Sequence, residues 1–216
     1  MKVIADGTFD YCIGLTNVIM HDNITRIGAS SFKNCRSLKS TGIPENLSQN
    51  LNIAGSAYIN CIGIESVTIP PTTLTVGESA FYGCTSLQSL TIKPPNSSLT
   101  IGTTAFASCP VLGPRVDINL KIQLGNNAFA NCPSLTKLFF KDRQMKAVKN
   151  LSWYSWGLDE SVIVAELPDD ERGFDLTSRR VRNMSSEYDN TMRKLINSGD
   201  IFYDGKKYRL IEIEDK

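Results

Sequence analysis

The stretch Val76–Ile92, VGESAFYGCTSLQSLTI, sets an aromatic at Phe81, a cysteine at Cys84 and a leucine at Leu87, then ends in the short alternation Leu90-Thr91-Ile92. Each of the other five cysteines of the chain lies in a near copy of this phrase. Aligned on the aromatic, the copies centre on Phe9, Phe32, Tyr58, Phe81, Phe106 and Phe129, at spacings of 23, 26, 23, 25 and 23 residues. Cys12, Cys35, Cys61, Cys84, Cys109 and Cys132 follow three residues later, and Leu15, Leu38, Ile64, Leu87, Leu112 and Leu135 six later. A small residue precedes most of the aromatics (Ser31, Ala57, Ala80, Ala105, Ala128), with Thr8 in the first copy. Before it stands an aliphatic–glycine pair, as in Ile27-Gly28, Val76-Gly77, Ile101-Gly102 and Leu124-Gly125, with Ala5 and Ala54 replacing the glycine elsewhere. Self-similarity at a period of this size is the mark of a repeat architecture.

Each unit has a physical reading. Small, aromatic, cysteine and leucine at relative positions −1, 0, +3 and +6 follow a helical rhythm, which predicts one or two tight turns with a single apolar face. The rhythm then shortens. In Leu87, Leu90 and Ile92, and again in Ile64, Val67 and Ile69, the last two residues alternate as on a short strand. Pro44, Pro70 and Pro94 close these strands, because proline cannot continue the hydrogen-bonded ladder. A second apolar pair, such as Leu74 and Val76 or Leu99 and Ile101, leads back to the next glycine. One unit cannot bury its apolar face alone, so the copies stack into a solenoid.

The phrase I-G-x-x-A-F-x-x-C-x-S-L-x-x-[LV]-x-I-P resembles the BspA-type leucine-rich repeat. Ile101–Cys109 matches its first half and Ser66–Pro70 its second. The resemblance covers residues 3–142, in six in-phase copies. It implies an α/β solenoid, a curved right-handed superhelix of six coils of 23–26 residues, used for binding or adhesion on bacterial surfaces or in phage particles. It implies no catalytic residues and no cofactor. Two departures stand out. Tyr58 replaces phenylalanine, and Arg115 and Asp117 fall where two strand aliphatics belong. A one-residue slip that turns Val116 and Ile118 inward restores the pattern and predicts a bulge near Gly113-Pro114.

The cysteines decide between chemistry and scaffold. Equivalent positions in stacked coils lie roughly 5 Å apart with parallel side chains, a poor arrangement for disulfides. A row does not make a tetrahedral metal site, there is no C-x-x-C pair, and His21 is the only histidine. Buried cysteine behaves as a small hydrophobe, so all six are expected to be reduced packing residues that resist alkylation. His21, in the turn His21-Asp22-Asn23, is too isolated for a Cys–His or Ser–His–Asp arrangement. Asp169-Asp170-Glu171 lacks the interleaved ligands of a calcium loop, and Arg179-Arg180-Val181-Arg182 reads as an exposed basic face beside acidic neighbours. The five N-x-[ST] sequons are close to chance for so Ser/Thr-rich a chain.

Composition narrows the partners. The 216 residues carry 23 basic and 22 acidic side chains for a net charge of +1, which disfavours nucleic acid or an anionic bilayer as the main partner. No apolar run approaches the roughly 20 residues of a membrane span, and Met1-Lys2-Val3 leads into repeat sequence without a signal peptide.

Strand register picks out the residues facing away from the core. They are Asn17 and Ile19, Ser40 and Gly42, Ser66 and Thr68, Ser89 and Thr91, Arg115 and Asp117, and Lys137 and Phe139. Of these, Ser66, Thr68, Ser89, Thr91, Arg115, Asp117, Lys137 and Phe139 form the candidate binding set, on the concave face of the expected superhelix. Their small hydroxylic character suits a protein or glycan ligand. Serine and threonine are also ordinary residues of a strand surface, which is the competing reading.

After Phe139-Phe140 the period ends. The expected organisation is a solenoid over 1–142, a capping segment over 143–166 holding Trp153 and Trp156, a polar linker over 167–182 and a tail over 183–216. In these parts a helix over Asp142–Leu151, a strand at Ser161–Ala165, a helix over Ser186–Ser198 and a hairpin turning at Asp204-Gly205 make a small α+β cap and tail. At the other end the first coil has no polar cap, so it is expected to self-associate or to continue into upstream sequence. The leading functional expectation is a non-enzymatic module that binds a protein or glycan, on a cell surface or in a virion. The alternative is an assembly subunit in which the solenoid is a spacer and the tail makes the contacts.

Overall fold

The computed structural model describes residues 2–94, 97–119, 122–141, 163–167, 201–203 and 206–208. The chain divides into two compact units, Met1–Phe140 with Ser152–Ala165 and Lys141–Leu151 with Glu166–Lys216. In the first unit, the short strands ahead of each aliphatic–glycine pair are β1 (Val3–Ile4), β2 (Arg26–Ile27), β3 (Leu51–Ile53), β5 (Thr73–Val76), β7 (Leu99–Ile101) and β9 (Ile122–Leu124). They form one parallel six-stranded sheet in that order, each coil adding one strand, as in Val76↔Ile101 and Ile101↔Leu124, with a register shift between Leu51 and Asn52 where β3 meets β5. The strands that follow each leucine make a second surface. There β4 (Ser66–Ile69) pairs with β6 (Ser89–Ile92), and β8 (Arg115–Asn119), β10 (Lys137–Lys141) and β11 (Ile163–Leu167) form a three-stranded sheet in the order β11-β10-β8.

Between these two surfaces lie turns and not helices. Among the described residues no helix occurs, so the fold is a parallel β-solenoid and the α/β expectation is corrected. The hydrogen bonds give the reason. In the second coil the amides of Ser30, Phe32 and Asn34 reach across to Gly55, Ala57 and Ile59 of the next coil, while those of Ser31, Lys33 and Cys35 close i→i−3 turns on Gly28, Ser30 and Phe32. A helix spends every amide within its own segment, whereas here every second one is committed to a neighbour. That alternation needs left-handed residues on either side of the aromatic. They are Gly7 and Tyr11, Ser30 and Asn34, Ser56 and Asn60, Ser79 and Gly83, Thr104 and Ser108, and Asn127 and Asn131, with φ between 52° and 71°.

The core is a column. Phe9, Phe32, Tyr58, Phe81, Phe106 and Phe129 stack ring on ring with centroids 5.0–5.8 Å apart and planes within 15° of parallel. The leucine and isoleucine positions flank the rings, and Leu38, Ile64, Leu87, Leu112 and Leu135 are buried. The coils approach so closely beside the column that a Cβ added to Gly125 would meet the Thr103 nitrogen at 2.5 Å.

Two local departures follow from the sequence. The second coil has no strand over residues 39–43, and there Gly42 sits at φ +71°, where a Cβ would meet the Val18 carbonyl. The Thr41 carbonyl, freed from a ladder, accepts the buried Tyr58 hydroxyl at 2.9 Å, which accounts for tyrosine in place of phenylalanine. In the fifth coil the expected slip is present. Gly113 donates backward to Gln88, while the next coil's Thr136 donates to Pro114 and not to Gly113. Gly113 and Pro114 thus fill one place together, the sheet is interrupted between β6 and β8, and Val116 turns into the core.

In the second unit, β12 (Ile201–Tyr203) and β13 (Lys206–Tyr208) pair antiparallel with Tyr203 opposite Lys206, the hairpin expected there. The helices expected over 142–151 and 186–198, both tryptophans and the polar linker lie outside the described residues.

These geometries carry two expectations. Replacing exposed Asn127 (φ 56°) by alanine puts an ordinary side chain in the left-handed region, at a cost of about 1 kcal/mol; Asn127→Gly is tolerated. Urea denaturation of both variants checks the contrast. In the same assay Tyr58→Phe strands the Thr41 carbonyl and lowers stability by roughly 1–2 kcal/mol.

Candidate binding surface

The polar set expected from strand register is placed in two groups. Ser66 pairs with Ser89 and Thr68 with Thr91 across β4 and β6, in parallel register. The alternate residues Val67, Ile69 and Leu90 point inward and are buried. Ser66, Ser89 and Thr91 are exposed and Thr68 is half-buried, so four hydroxyls form two rows on one face. Next to β6 lies β8, whose half-buried Arg115 and Asp117 face each other on one side of the strand. Arg115 Nε and Nη2 donate to the two carboxylate oxygens of Asp117, the latter at 2.9 Å. Lys137 and Phe139 are on β10, and their side chains are not among those described. The rows do not extend to the first two coils as strands. Asn17, Ile19 and Ser40 are exposed on irregular backbone.

The rim of this face is charged. Lys93 reaches Glu45 at 2.6 Å, and Lys39 approaches Glu65 at 3.8 Å. These pairs are largely solvent-exposed and contribute little to stability. The hydroxyl rows themselves carry no charge.

The other sheet carries a row that the register reading did not consider. Arg26, Asn52, Thr75, Thr100 and Gln123 are successive partners across β2, β3, β5, β7 and β9. Asn52, Thr100 and Gln123 are exposed. The signal was present in the sequence as the residue before each aliphatic–glycine pair, but a strand of two or three residues gives too little alternation to read. At the end of this row, Arg26 bonds Asp6 at 2.6 Å, and Asp6 also accepts the Ala29 amide. The Arg26 hydrogen bond, with that of the Ala29 amide, holds the Asp6 carboxyl below the usual carboxylate range.

The cysteines do not form a reactive site. Cys35, Cys61, Cys84, Cys109 and Cys132 are buried. Each thiol donates to the carbonyl of the aromatic one coil earlier, at 3.1, 2.9, 3.4, 3.4 and 3.2 Å to Phe9, Phe32, Tyr58, Phe81 and Phe106. This role was not legible in the sequence, where cysteine reads only as a small hydrophobe. Burial pushes the Cys35 thiol up to about 11 and that of Cys84 to about 12, so neither supplies a thiolate at neutral pH. Cys12 departs from the expectation of six protected thiols: it is exposed. His21 is exposed in its turn, and among the described residues no group of three His, Cys, Asp or Glu side chains could hold a metal ion. The acidic run Asp169–Glu171 and the basic run Arg179–Arg182 lie outside the described residues.

A stack of short coils, held by an aromatic column and displaying in-register polar rows, defines a repeat solenoid of the leucine-rich class. The model of the BspA type leucine rich repeat region matches residues 2–136 and 51–167, in six copies. The chain belongs to that family. No curated protein matches it. Similar solved structures include a leucine-rich repeat protein from Bacteroides ovatus (22% identity, TM-score 0.46, covering 77% of this chain and 52% of that one). Another is a leucine-rich repeat protein from T. pallidum (19% identity, TM-score 0.46, 70% and 77%). A third is a leucine rich cell surface protein from Faecalibacterium prausnitzii (14% identity, TM-score 0.38, 78% and 63%). The chain thus spans about half the length of the Bacteroides protein.

In native protein, an alkylating reagent at pH 8 is expected to modify Cys12 within minutes and the other five thiols only on unfolding. Mass spectrometry of a time course reads the difference, and rapid labelling of Cys84 would refute the buried thiol column.

Proposed function

We propose that the chain is a non-enzymatic binding module that recognises a protein partner through the face of β4, β6 and β8. The observation that carries this reading is the in-register pairing of Ser66 with Ser89 and Thr68 with Thr91 beside the Arg115–Asp117 pair. Small hydroxyls on a parallel sheet let another polypeptide approach closely and offer donors and acceptors at the spacing of its own peptide groups. The Arg115–Asp117 pair gives one end of this otherwise uniform surface a fixed charge pattern, which favours one orientation of the partner. The family's repeat architecture supports an interaction role, since stacked repeats present extended binding surfaces. An adhesive role on a cell surface or a virion rests on the family resemblance alone.

The test is capture of a partner by intact chain, compared with Ser89→Arg plus Thr91→Arg. Both positions are exposed, so the fold survives, and a bulky charge should weaken capture at least tenfold. Thr85→Arg, exposed in the turn layer, serves as control and should bind normally. Equal capture by the face variant and wild type would refute the assignment. Selective binding of the wild type to a glycan array, with no protein captured, would replace the protein partner by a carbohydrate.

A further inference from the structure

The amide seven residues after each aromatic ties one coil to the coil before it, on the side of β4, β6 and β8. Those of Lys39, Gln88 and Gly113 donate to the carbonyls of Thr16, Glu65 and Gln88, and that of Thr136 donates to Pro114. Glu65 is the exception. Its amide donates to no carbonyl of the second coil, and residues 39–43 make no backbone hydrogen bond to β4. At the following junction all four residues of β4 pair with β6.

The first two coils are fastened to each other more fully. The Lys39 amide meets the Thr16 carbonyl at 3.1 Å, and the Ser48 amide and hydroxyl both reach the Asp22 carbonyl, at 2.9 and 3.2 Å. Asp6 holds Arg26 and the Ala29 amide together. At the second junction the bonds of the other sheet and of the turns continue, as from Asn52 to Thr25 and from Phe32 to Ala57. On the side of β4, however, the hydrogen bonds and ion pairs that cross are made by side chains. The Tyr58 hydroxyl donates to Thr41, and Lys39 approaches Glu65. Glu45 of the second coil reaches past the third to Lys93 of the fourth, at 2.6 Å. Lys93 directly follows β6 and Glu65 directly precedes β4, so both ion pairs stand at the border of the candidate binding face.

We infer that the junction between the second and third coils is a seam, at which the first two coils part from the rest as one unit, and that the Glu45–Lys93 strap holds it closed in a salt-dependent way. In a repeat stack each junction has its own stability, and partial opening follows the weakest one. The seam lacks the backbone ladder that the other junctions have on this side. Its strap is an exposed ion pair, which salt screens. Such a pair adds little to the whole fold, but here its effect falls on a single junction.

Native-state hydrogen exchange of the full chain, read by NMR, tests the seam. The amides of Ser30, Phe32 and Asn34 cross it to Gly55, Ala57 and Ile59, whereas those of Gly7, Phe9 and Tyr11 cross to the second coil and that of Phe81 to the fifth. Corrected for intrinsic rates, the seam amides are expected to exchange at least tenfold faster than both other groups. Molar salt or Lys93→Gln should speed them a further threefold or so and leave Phe81 unchanged. Exchange of Phe9 and Tyr11 ahead of Phe32 would overturn the inference, since the coils would then peel off singly from the end. Exchange of Phe32 together with Phe81 would overturn it as well, and a seam rate indifferent to both salt and Lys93→Gln would remove the strap.

Discussion

Everything in the solenoid depends on how the backbone amides around each aromatic are divided. In each of the first five coils three, at positions −2, 0 and +2, leave for the next coil, and those between them close turns at home. A buried amide without an acceptor costs about as much as a lost hydrogen bond and often more, so the division fixes the coil spacing. At that spacing the rings lie flat on one another, and at Gly28, Gly77, Gly102 and Gly125 the neighbouring coil leaves no room for a side chain. The same division requires the chain to turn left-handed on both sides of the aromatic, where glycine, asparagine and serine dominate. Thr104 and Tyr11 hold that conformation against their own preference.

The choice of cysteine follows from the same arithmetic. The carbonyl of Phe32 already takes the Cys35 amide of its own turn and has one lone pair left. The thiol of Cys61 in the next coil fills it. A thiol is a weak donor with an apolar body, so it completes the carbonyl and packs against the ring beside it. Serine would donate more strongly but leave a smaller volume filled, in a column where voids remove contacts from both neighbours. A residue that looked like chemistry when read singly is a packing residue with one polar duty, and the raised thiol pKa values follow from that place.

The legible parts of the sequence were those with a long, repeated signal. The aromatic–cysteine–leucine phrase showed the coils, their stacking and the inward faces, and the defect at Arg115–Asp117 located the slip that Gly113 and Pro114 absorb. The helical rhythm of the turn misled, because spacings of three and four residues also arise from consecutive i→i−3 turns. What separates the two is the pair of left-handed residues, spelled as varied small and polar types and easily taken for ordinary loop composition. The missing strand at 39–43 was hidden for a similar reason: Gly42 fits an outward strand position by register, and only its left-handed backbone, φ 71°, sets it apart from one. The hydroxyl rows of β4 and β6 came directly from alternation, whereas the row from Arg26 to Gln123 needed the sheet itself.

The two kinds of surface differ in how much freedom the fold leaves them. Inward positions answer to the spacing of the column, so they repeat from coil to coil with little variation. Outward positions on β4, β6 and β8 are not held to the spacing of the column, and there the coils diverge: serine and threonine in two, arginine and aspartate in the next. The fifth coil keeps its core only by inserting a residue, and that insertion sets Arg115 and Asp117 side by side facing outward. A coil with aliphatics in the regular register would have stacked without it. The irregularity therefore serves the core, by turning Val116 inward, and in doing so sets the charged pair of β8 apart from the hydroxyl rows of β4 and β6.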